Sequence, residues 1–556
     1  MSVSAHFKGP EMIYDRFCTV HEKDGRLENI DFHYSGNFNF AYDVVDAIAA
    51  QQPDKTALVW CNSEDEEKIF SFRDIRDMSI KYAKVLIKNG IGKGDRVIVC
   101  LRRHYEYWPL AAALEKIGAV MIPMTHMLTA ADFVYRLKAS DAKGAVITPL
   151  SDTHAEFLQA CSQYGCDVRK WTIGKDIEGY MNLSSDADME SAEPFERIST
   201  KAEEPMLIYF TSGTTGYPKG VIHDHTYALA HIVTAKYWQG AEDNGLHFTL
   251  AETGWAKASW GKLYGQWLAG SAVMAYDFDN FDPSSLVTII NKYHVTSFCA
   301  PPTVYRYLVR KGVASMPSLR HASTAGEYLS PEIFRAFKEK TGLELHEGYG
   351  QTETVLIAGN LSGIKAVDGS MGVPSPLYTV MITDENGKEA ARGERGEIVI
   401  LPENGKKPIG IFSGYLGNDG LYKDAWKDGV YHTGDSACMD EDGYLWFKGR
   451  FDDIIKSGGY RIGPAEIEDI LVTHPAVLEC AVIGVPDTLR GQAVKALILL
   501  EDGLLPSKEL DKEIKEYCNS KLAEYKWIRK IGFVESFPKT ISNKIRKNEL
   551  RKAEGL

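Results

Sequence analysis

Between Thr56 and Gly174 short apolar or β-branched runs (TALVWC, DRVIVCL, AVMIPM, GAVITP) alternate with segments of helical period, such as the Met78, Tyr82, Val85, Leu86 stripe of RDIRDMSIKYAKVLIKNG. A strand that must pass through a helix before the next strand pairs parallel, so this alternation predicts βαβ units and a parallel sheet. The acidic, Ser-rich stretch from Met181 to Pro205 has no apolar period and is expected to cross the surface to the next sheet. The alternation resumes at MLIYF, with helices around Tyr227 and strands near Ala272. From about Gly372 turn-rich β segments (GEIVIL, GVYHTGD, GYLWFKG) predict a compact sheet or barrel. Beyond GRFDDIIKSGG a helix opens at Pro464, strands follow near Cys480 and Ala496, LDKEIKEYCNSKL is helical and Ile531 to Val534 is strand-like, which predicts a separate α+β unit.

The 556 residues suffice for three or four packed units. With 44% hydrophobic and 25% charged residues the chain has the composition of a folded protein rather than a disordered or fibrous one. Its net charge of −13 argues against gripping a nucleic acid. No apolar run is long enough to span a membrane, and MSVSAHFKGPEMIYDRFC has neither a signal core nor the character of a transit peptide, so a cytoplasmic location is expected. The nine cysteines, without a CxxC, are expected to be reduced and mostly buried, forming neither a zinc site nor a disulfide frame. From Lys521 onward ten basic residues face four acids, a tail that could focus positive potential on a phosphorylated small molecule or simply be a solvated helix face.

The stretch IYFTSGTTGYPKG, Ile208 to Gly220, has the composition of a phosphate cradle. Gly213 and Gly216 permit close backbone approach, Thr211, Ser212, Thr214 and Thr215 add hydroxyls, and Lys219 a cation. It is not a Walker A loop, because Tyr217 and Pro218 separate Gly216 from Lys219. The loop resembles the signature of the adenylate-forming superfamily, and further motifs follow in that family's order: STAGEYLSPEIF from Ser323, EGYGQTET from Glu347, YHTGD from Tyr431, GRFDDIIKSGGYRIGPAEIE from Gly449 and PKTISNKIRK from Pro538.

The resemblance implies an α/β fold: a large N-terminal AMP- and acyl-binding domain (1–450) of two α/β sheets plus a β-barrel-like part, and a small mobile α+β C-terminal domain (451–556). It implies that Gly326, Glu327 and Glu347 line the adenine pocket, that Thr352 meets the α-phosphate and that Glu353 holds Mg²⁺, a hard cation suited to oxygen ligands. Asp435 would accept the ribose hydroxyls and Arg450 would face ribose or phosphate. Lys544 would bridge the substrate carboxylate and the α-phosphate; the family pattern usually has glycine where Asn543 stands, and Asn tolerates positive φ. Asp452 matches the family's hinge, while Gly458, Gly459 and Arg461 match the segment that lines the pantetheine tunnel for CoA.

Acetate-specific relatives carry a tryptophan at the position of Gly350, so the acyl pocket is expected to run deeper, and EGYGQTE with SGGYRIGP most resembles the medium-chain acyl-CoA synthetase branch. Trp255, Lys257 and Trp260 fall where the family lines that pocket and could narrow or redirect it; Lys257 could equally point to solvent. His223, His225 and His231 fit no metal spacing and are read as structural. The implied activity is an AMP-forming acyl-CoA synthetase for a short branched or medium-chain carboxylate, with ATP and CoA as cosubstrates, no nucleic-acid or membrane partner, and homo-oligomerisation left open. Its rivals are adenylation for a carrier protein or other acceptor, luciferase-like oxidation of the adenylate, a CoA ligase for acetate, propionate or an aryl acid, and a sensor without turnover. With twelve residues after Lys544, no carrier domain is expected in this chain.

Overall fold

The computed structural model describes residues 12–211, 218–312, 315–327, 329–450, 453, 455–457, 460–540 and 544–555. The chain folds into two compact units, one from the described parts of Met1–Thr211, Lys219–Thr379 and Pro402–Asp424, the other from those of Ser212–Pro218, Val380–Leu401 and Ala425–Leu556.

The first unit holds, among the described residues, an eight-stranded and a nine-stranded sheet, each mostly parallel. The helix Phe72–Lys88 shows why the sequence builds them. Ser71 caps it by accepting from the Asp74 N–H at 3.2 Å while the Asp74 carboxylate accepts from the Ser71 N–H at 2.8 Å, and Gly90 leaves it at positive φ. Ile75, Tyr82, Val85 and Leu86 are buried along one face, with Met78 half-buried at its edge.

The Ser-rich stretch does not cross to the next sheet. Met181–Asn182 is the edge strand of the eight-stranded sheet, and Pro205–Thr211 returns to the same sheet, where Leu207 pairs parallel with Met121. The long connection is what two nonadjacent strands of one sheet require. In the nine-stranded sheet Leu246–Thr249, Ser297–Cys299, His321–Ala325 and Leu345–Gly350 run parallel, so their C-terminal ends emerge along one edge. Ligands of open α/β sheets bind beyond that edge.

The second unit contains a four-stranded antiparallel sheet, Val380–Thr383, Arg395–Ile400, Tyr431–Met439 and Leu445–Arg450, which is the part expected to be barrel-like. Its α+β part has the expected elements: the helix Pro464–Leu471, the long hairpin Val477–Asp487 with Gly491–Leu500, the helix Lys508–Asn519, and Lys530–Phe533 parallel to the hairpin. Arg395 joins the two parts, donating to the Lys448 carbonyl at 3.0 Å with its guanidinium beside Gly463. The basic tail is partly neutralised within this unit: Lys526 pairs with Glu466, Lys539 with Glu479, Arg546 with Glu549, Lys547 with Glu468 and Arg551 with Asp453. These five pairs account for half of the ten basic residues.

Candidate active site

In the first unit the turn after Leu345–Gly350 is fixed from several sides. The Gln351 N–H donates to Thr354 Oγ1 at 3.1 Å, the Phe412 N–H to the Glu353 carbonyl at 2.8 Å, and the Val355 N–H to Tyr378 Oη at 3.3 Å. His223 Nε2 donates to the Thr352 carbonyl at 2.8 Å, and the Tyr415 hydroxyl donates to Glu353 Oε1, also at 2.8 Å. Thr352 and Glu353 are half-buried. Thr211 and Lys219 face each other at the open ends of Pro205–Thr211 and Lys219–Asp224, with the Lys219 ammonium 5.5 Å from the centre of the Tyr415 ring. Glu353 and Lys219 therefore share Tyr415 as a neighbour. Ser212, Gly213, Thr214, Thr215 and Gly216 lie outside the described residues.

Glu347 is buried opposite Thr324, and Gly326 follows that neighbouring strand at φ +94°, a conformation that favours glycine. Glu327 is exposed and accepts from Thr303 Oγ1 at 2.7 Å. Lys257 does not run to solvent: its ammonium donates to the Ala325 carbonyl, and a methyl group on Gly326 would overlap it. The lysine assigned to the acyl pocket thus touches the strand end assigned to adenine.

Gly350 does not open a void. A side chain there would collide with the indole of Trp260, which is buried and packs edge-on against Trp238 at 6.0 Å. The space a tryptophan at position 350 would take is occupied by one from the helix Ala256–Lys262. Trp255, half-buried, stands at the N-terminus of that helix. An open hollow of about 560 Å³ lined by Gln52, Lys55, Asn244 and Gly270 lies at the opposite, N-terminal ends of these strands, away from every residue the motifs single out.

In the second unit Asp435 is buried and sits across the ladder from Arg450, with Arg450 Nη1 at 3.5 Å from Asp435 Oδ1. The turn before it is braced by Glu397, which takes the Gly434 N–H at 3.0 Å and pairs with His432 at 2.9 Å. Lys544 is exposed in a narrow loop: its N–H donates to Thr540 Oγ1 at 3.0 Å, and its carbonyl accepts from the Thr540 N–H at 2.7 Å. Asp452, Gly458, Gly459 and Asn543 lie outside the described residues. Arg461 pairs with Lys456 in a short antiparallel ladder, and its side chain is not described.

A family model for AMP-binding enzymes matches residues 45–416, more than half of the chain, and one for the AMP-binding enzyme C-terminal domain matches residues 466–544. The chain is 40% identical over 532 residues to acyl-coenzyme A synthetase ACSM3, mitochondrial, of Pongo abelii, covering 93% of this chain and 90% of that relative. This chain belongs to the AMP-binding enzyme family. Among its members it falls with the acyl-coenzyme A synthetases. Two solved structures share its fold: the anthranilate CoA ligase AuaEII in complex with anthranoyl-AMP, with 27% identity and a TM-score of 0.83 over 94% of this chain and 98% of that one, and a Brucella canis acyl-CoA synthetase, with 31% identity and a TM-score of 0.70 over 93% and 94%.

For an AMP-binding enzyme the donor set around Glu353 is informative. Among the described residues no three His, Cys, Asp or Glu side chains gather to hold a metal. A lone carboxylate beside a threonine suits Mg²⁺, which takes one or two protein carboxylates and completes its shell with phosphates and water. Sequence reasoning named His223 only as structural and did not place it against Thr352, and it did not name Tyr415, which lies in no motif. The HDH spacing on a strand was the only signal for the first, and nothing in sequence announces the second, whose partner is 62 residues away.

Proposed function

We propose that the chain is an AMP-forming acyl-CoA synthetase for a short branched or medium-chain carboxylate. The carboxylate oxygen attacks the α-phosphorus of ATP, and the bond to the leaving pyrophosphate breaks. The CoA sulfur then attacks the acyl carbon of the adenylate, and the bond to AMP breaks. The observation that carries this reading is that Gly326, Thr352 and Glu353 follow the ends of two adjacent parallel strands, with Glu347 within the second of them and Lys219 and Glu353 sharing Tyr415.

Gly326, Glu327 and Glu347 receive the adenine, Thr352 the α-phosphate, and Thr211 to Gly216 with Lys219 the remaining phosphates. Glu353 would hold Mg²⁺, which when bound offsets phosphate charge. Asp435 takes the ribose hydroxyls and Arg450 lies on the ribose or phosphate side. Lys544 brings its ammonium to the carboxylate and α-phosphate as charge moves between them. A hinge at Asp452 rotates 451–556 against 1–450 between the two steps, and Gly458, Gly459 and Arg461 serve the CoA arm.

Trp260 against Gly350 supports a shortened acyl chamber over a long straight one. An aryl acid is the second reading, favoured by the likeness to the anthranilate CoA ligase. No described helix is long and apolar enough to cross a membrane. All nine cysteines are free thiols, which supports a reducing compartment. We place the enzyme in the cytoplasm; the relative's name carries "mitochondrial", and fractionation decides between the two.

The test is ATP–pyrophosphate exchange with a panel of straight, branched and aromatic acids, followed by addition of CoA or pantetheine. Exchange with a branched or medium-chain acid and release of AMP are expected. Release of ADP, or no exchange with any acid, overturns the reading. Lys544→Ala should abolish exchange yet spare thioester formation from supplied acyl-AMP, and Gly459→Leu should do the reverse. Equal loss of both steps in either variant contradicts its assigned role.

A further inference from the structure

His223 is fully buried on Lys219–Asp224, a strand already held on both sides, by Pro205–Thr211 and by Gly414–Tyr415. Its hydrogen bond is therefore not needed to keep the strand in place. A carbonyl oxygen only accepts, so the bond to Thr352 fixes the proton on Nε2. The other ring nitrogen, Nδ1, is buried with no hydrogen-bond partner among the described residues. The one hydrogen bond the ring makes is aimed at the turn that carries Thr352 and Glu353.

The ring orientation is fixed by packing. His223 stacks on Tyr227 with centroids 3.9 Å apart, Tyr227 meets His231 edge-on at 4.5 Å, and His231 lies 6.2 Å from Trp260. Trp260 fills the space beside Gly350. One buried column therefore touches the turn at two places, packing at Gly350 and bonding at Thr352.

We propose that His223 is a positioning residue for adenylation: its Nε2–H holds the Thr352 carbonyl and thereby aims the Thr352 hydroxyl and the Glu353 carboxylate at the triphosphate. This rests on the proposed roles of Thr352 and Glu353. It places the main effect of His223 in the first half-reaction, because the Glu353 carboxylate serves the triphosphate, which is gone once the adenylate has formed, while the α-phosphate that Thr352 meets is present in both steps.

The experiment compares His223→Phe, which keeps a ring of similar size and removes the donor, with His223→Gln, whose side-chain amide can replace the Nε2–H. For His223→Phe the exchange kcat should fall about 10- to 100-fold, the size expected when a reacting group is misplaced by a fraction of an ångström to one ångström. KM for the acid and thioester formation from supplied acyl-AMP should stay within about threefold of wild type. His223→Gln should recover most of the lost exchange. The proposal is overturned if His223→Phe keeps exchange within threefold, if both half-reactions fall together, or if His223→Gln is as impaired as His223→Phe. Should His223→Phe not yield folded protein, His223→Asn, polar but too short to reach the carbonyl, is judged by the same criteria. Wild-type enzyme run in parallel separates the two readings: no exchange there removes the proposed function and this role with it, whereas normal wild-type exchange leaves the variants to decide on His223 alone.

Discussion

At the residue scale, Gly350 and Trp260 divide one volume between them, and on the proposed reading which residue fills it sets the shape of the acyl chamber. Trp260→Ala removes the indole that packs against Gly350. The preferred acid should shift toward longer straight chains, read from exchange rates across a series of acids of two to ten carbons. Truncating a buried tryptophan also costs about 3–5 kcal/mol, so the unfolding midpoint should fall as well. A profile identical to wild type would place the chamber elsewhere. Lys257 offers a second probe, since its ammonium is spent on the Ala325 carbonyl beside Gly326. Lys257→Ala should change both the acid preference and KM for ATP; a change in neither removes it from the site. Gly326→Ala is the reciprocal test. At φ +94° and against the Lys257 ammonium, the added methyl should raise KM for ATP and for supplied acyl-AMP alike, because both carry the adenine.

At the element scale, the strand Lys219–Asp224 carries three groups with separate tasks: Lys219 at its open end, His223 under Thr352, and Asp224 as an anchor. Asp224 is buried and accepts from the Thr226 N–H at 3.1 Å, from Ser413 Oγ at 2.8 Å and from the Lys407 ammonium at 2.8 Å. Despite burial, these partners, Lys407 foremost, hold its carboxyl below the usual range. Asp224→Asn leaves Lys407 with an uncompensated charge and should cost about 3 kcal/mol, seen as a lowered unfolding midpoint that Lys407→Met partly restores. An unchanged midpoint in the single variant would mean the pair contributes nothing. This element also shows what sequence could and could not reveal. The alternation that predicts βαβ units is local, so strands and helices from Thr56 to Gly174 and from Pro464 to Phe533 were legible. The motif loop located Thr211 and Lys219 for the same reason. Asp224–Lys407, Tyr415–Glu353 and Trp260–Gly350 join residues 62 to 183 positions apart, and no periodicity encodes such pairs. The return of Pro205–Thr211 to its own sheet was misread because a crossover and a departure look alike in an unpatterned linker. The pairing of the basic tail was not legible in sequence because the partners of Lys526, Lys547 and Arg551 lie on other elements of their unit.

At the scale of the whole molecule, buried histidines dictate the response to acid. Burial pulls His104, His223 and His225 down to about 4 and His247 and His321 to about 3, and it also lowers His231 and His346. All seven stay neutral in the fold, while in the unfolded chain they charge near pH 6.5. Between that value and their folded values the unfolded state binds more protons, so their contribution is intact above about pH 6.5 and is lost as the pH falls toward 4. Three buried carboxyls act oppositely: burial raises Glu115 to about 8 and also lifts Asp46 and Glu106, so these take up protons in the fold as acid is added. The lowered histidines outnumber the raised carboxyls, so acidification below pH 6.5 leaves more protons on the unfolded chain and lowers stability. The unfolding midpoint should therefore drop steeply between pH 6.5 and 5 and change little between pH 7 and 7.5, a profile that thermal melts in matched ionic strength would record. His247 is the histidine to test singly, because both of its nitrogens are engaged, with Ser297 Oγ at 2.7 Å and Thr249 Oγ1 at 2.8 Å. An imidazolium there would have to donate at both positions and reorient the two hydroxyls in a buried site. His247→Gln, which cannot charge, should lower the midpoint at pH 7 yet flatten its fall toward pH 5; a parallel fall in variant and wild type would show that the acid response arises from other groups.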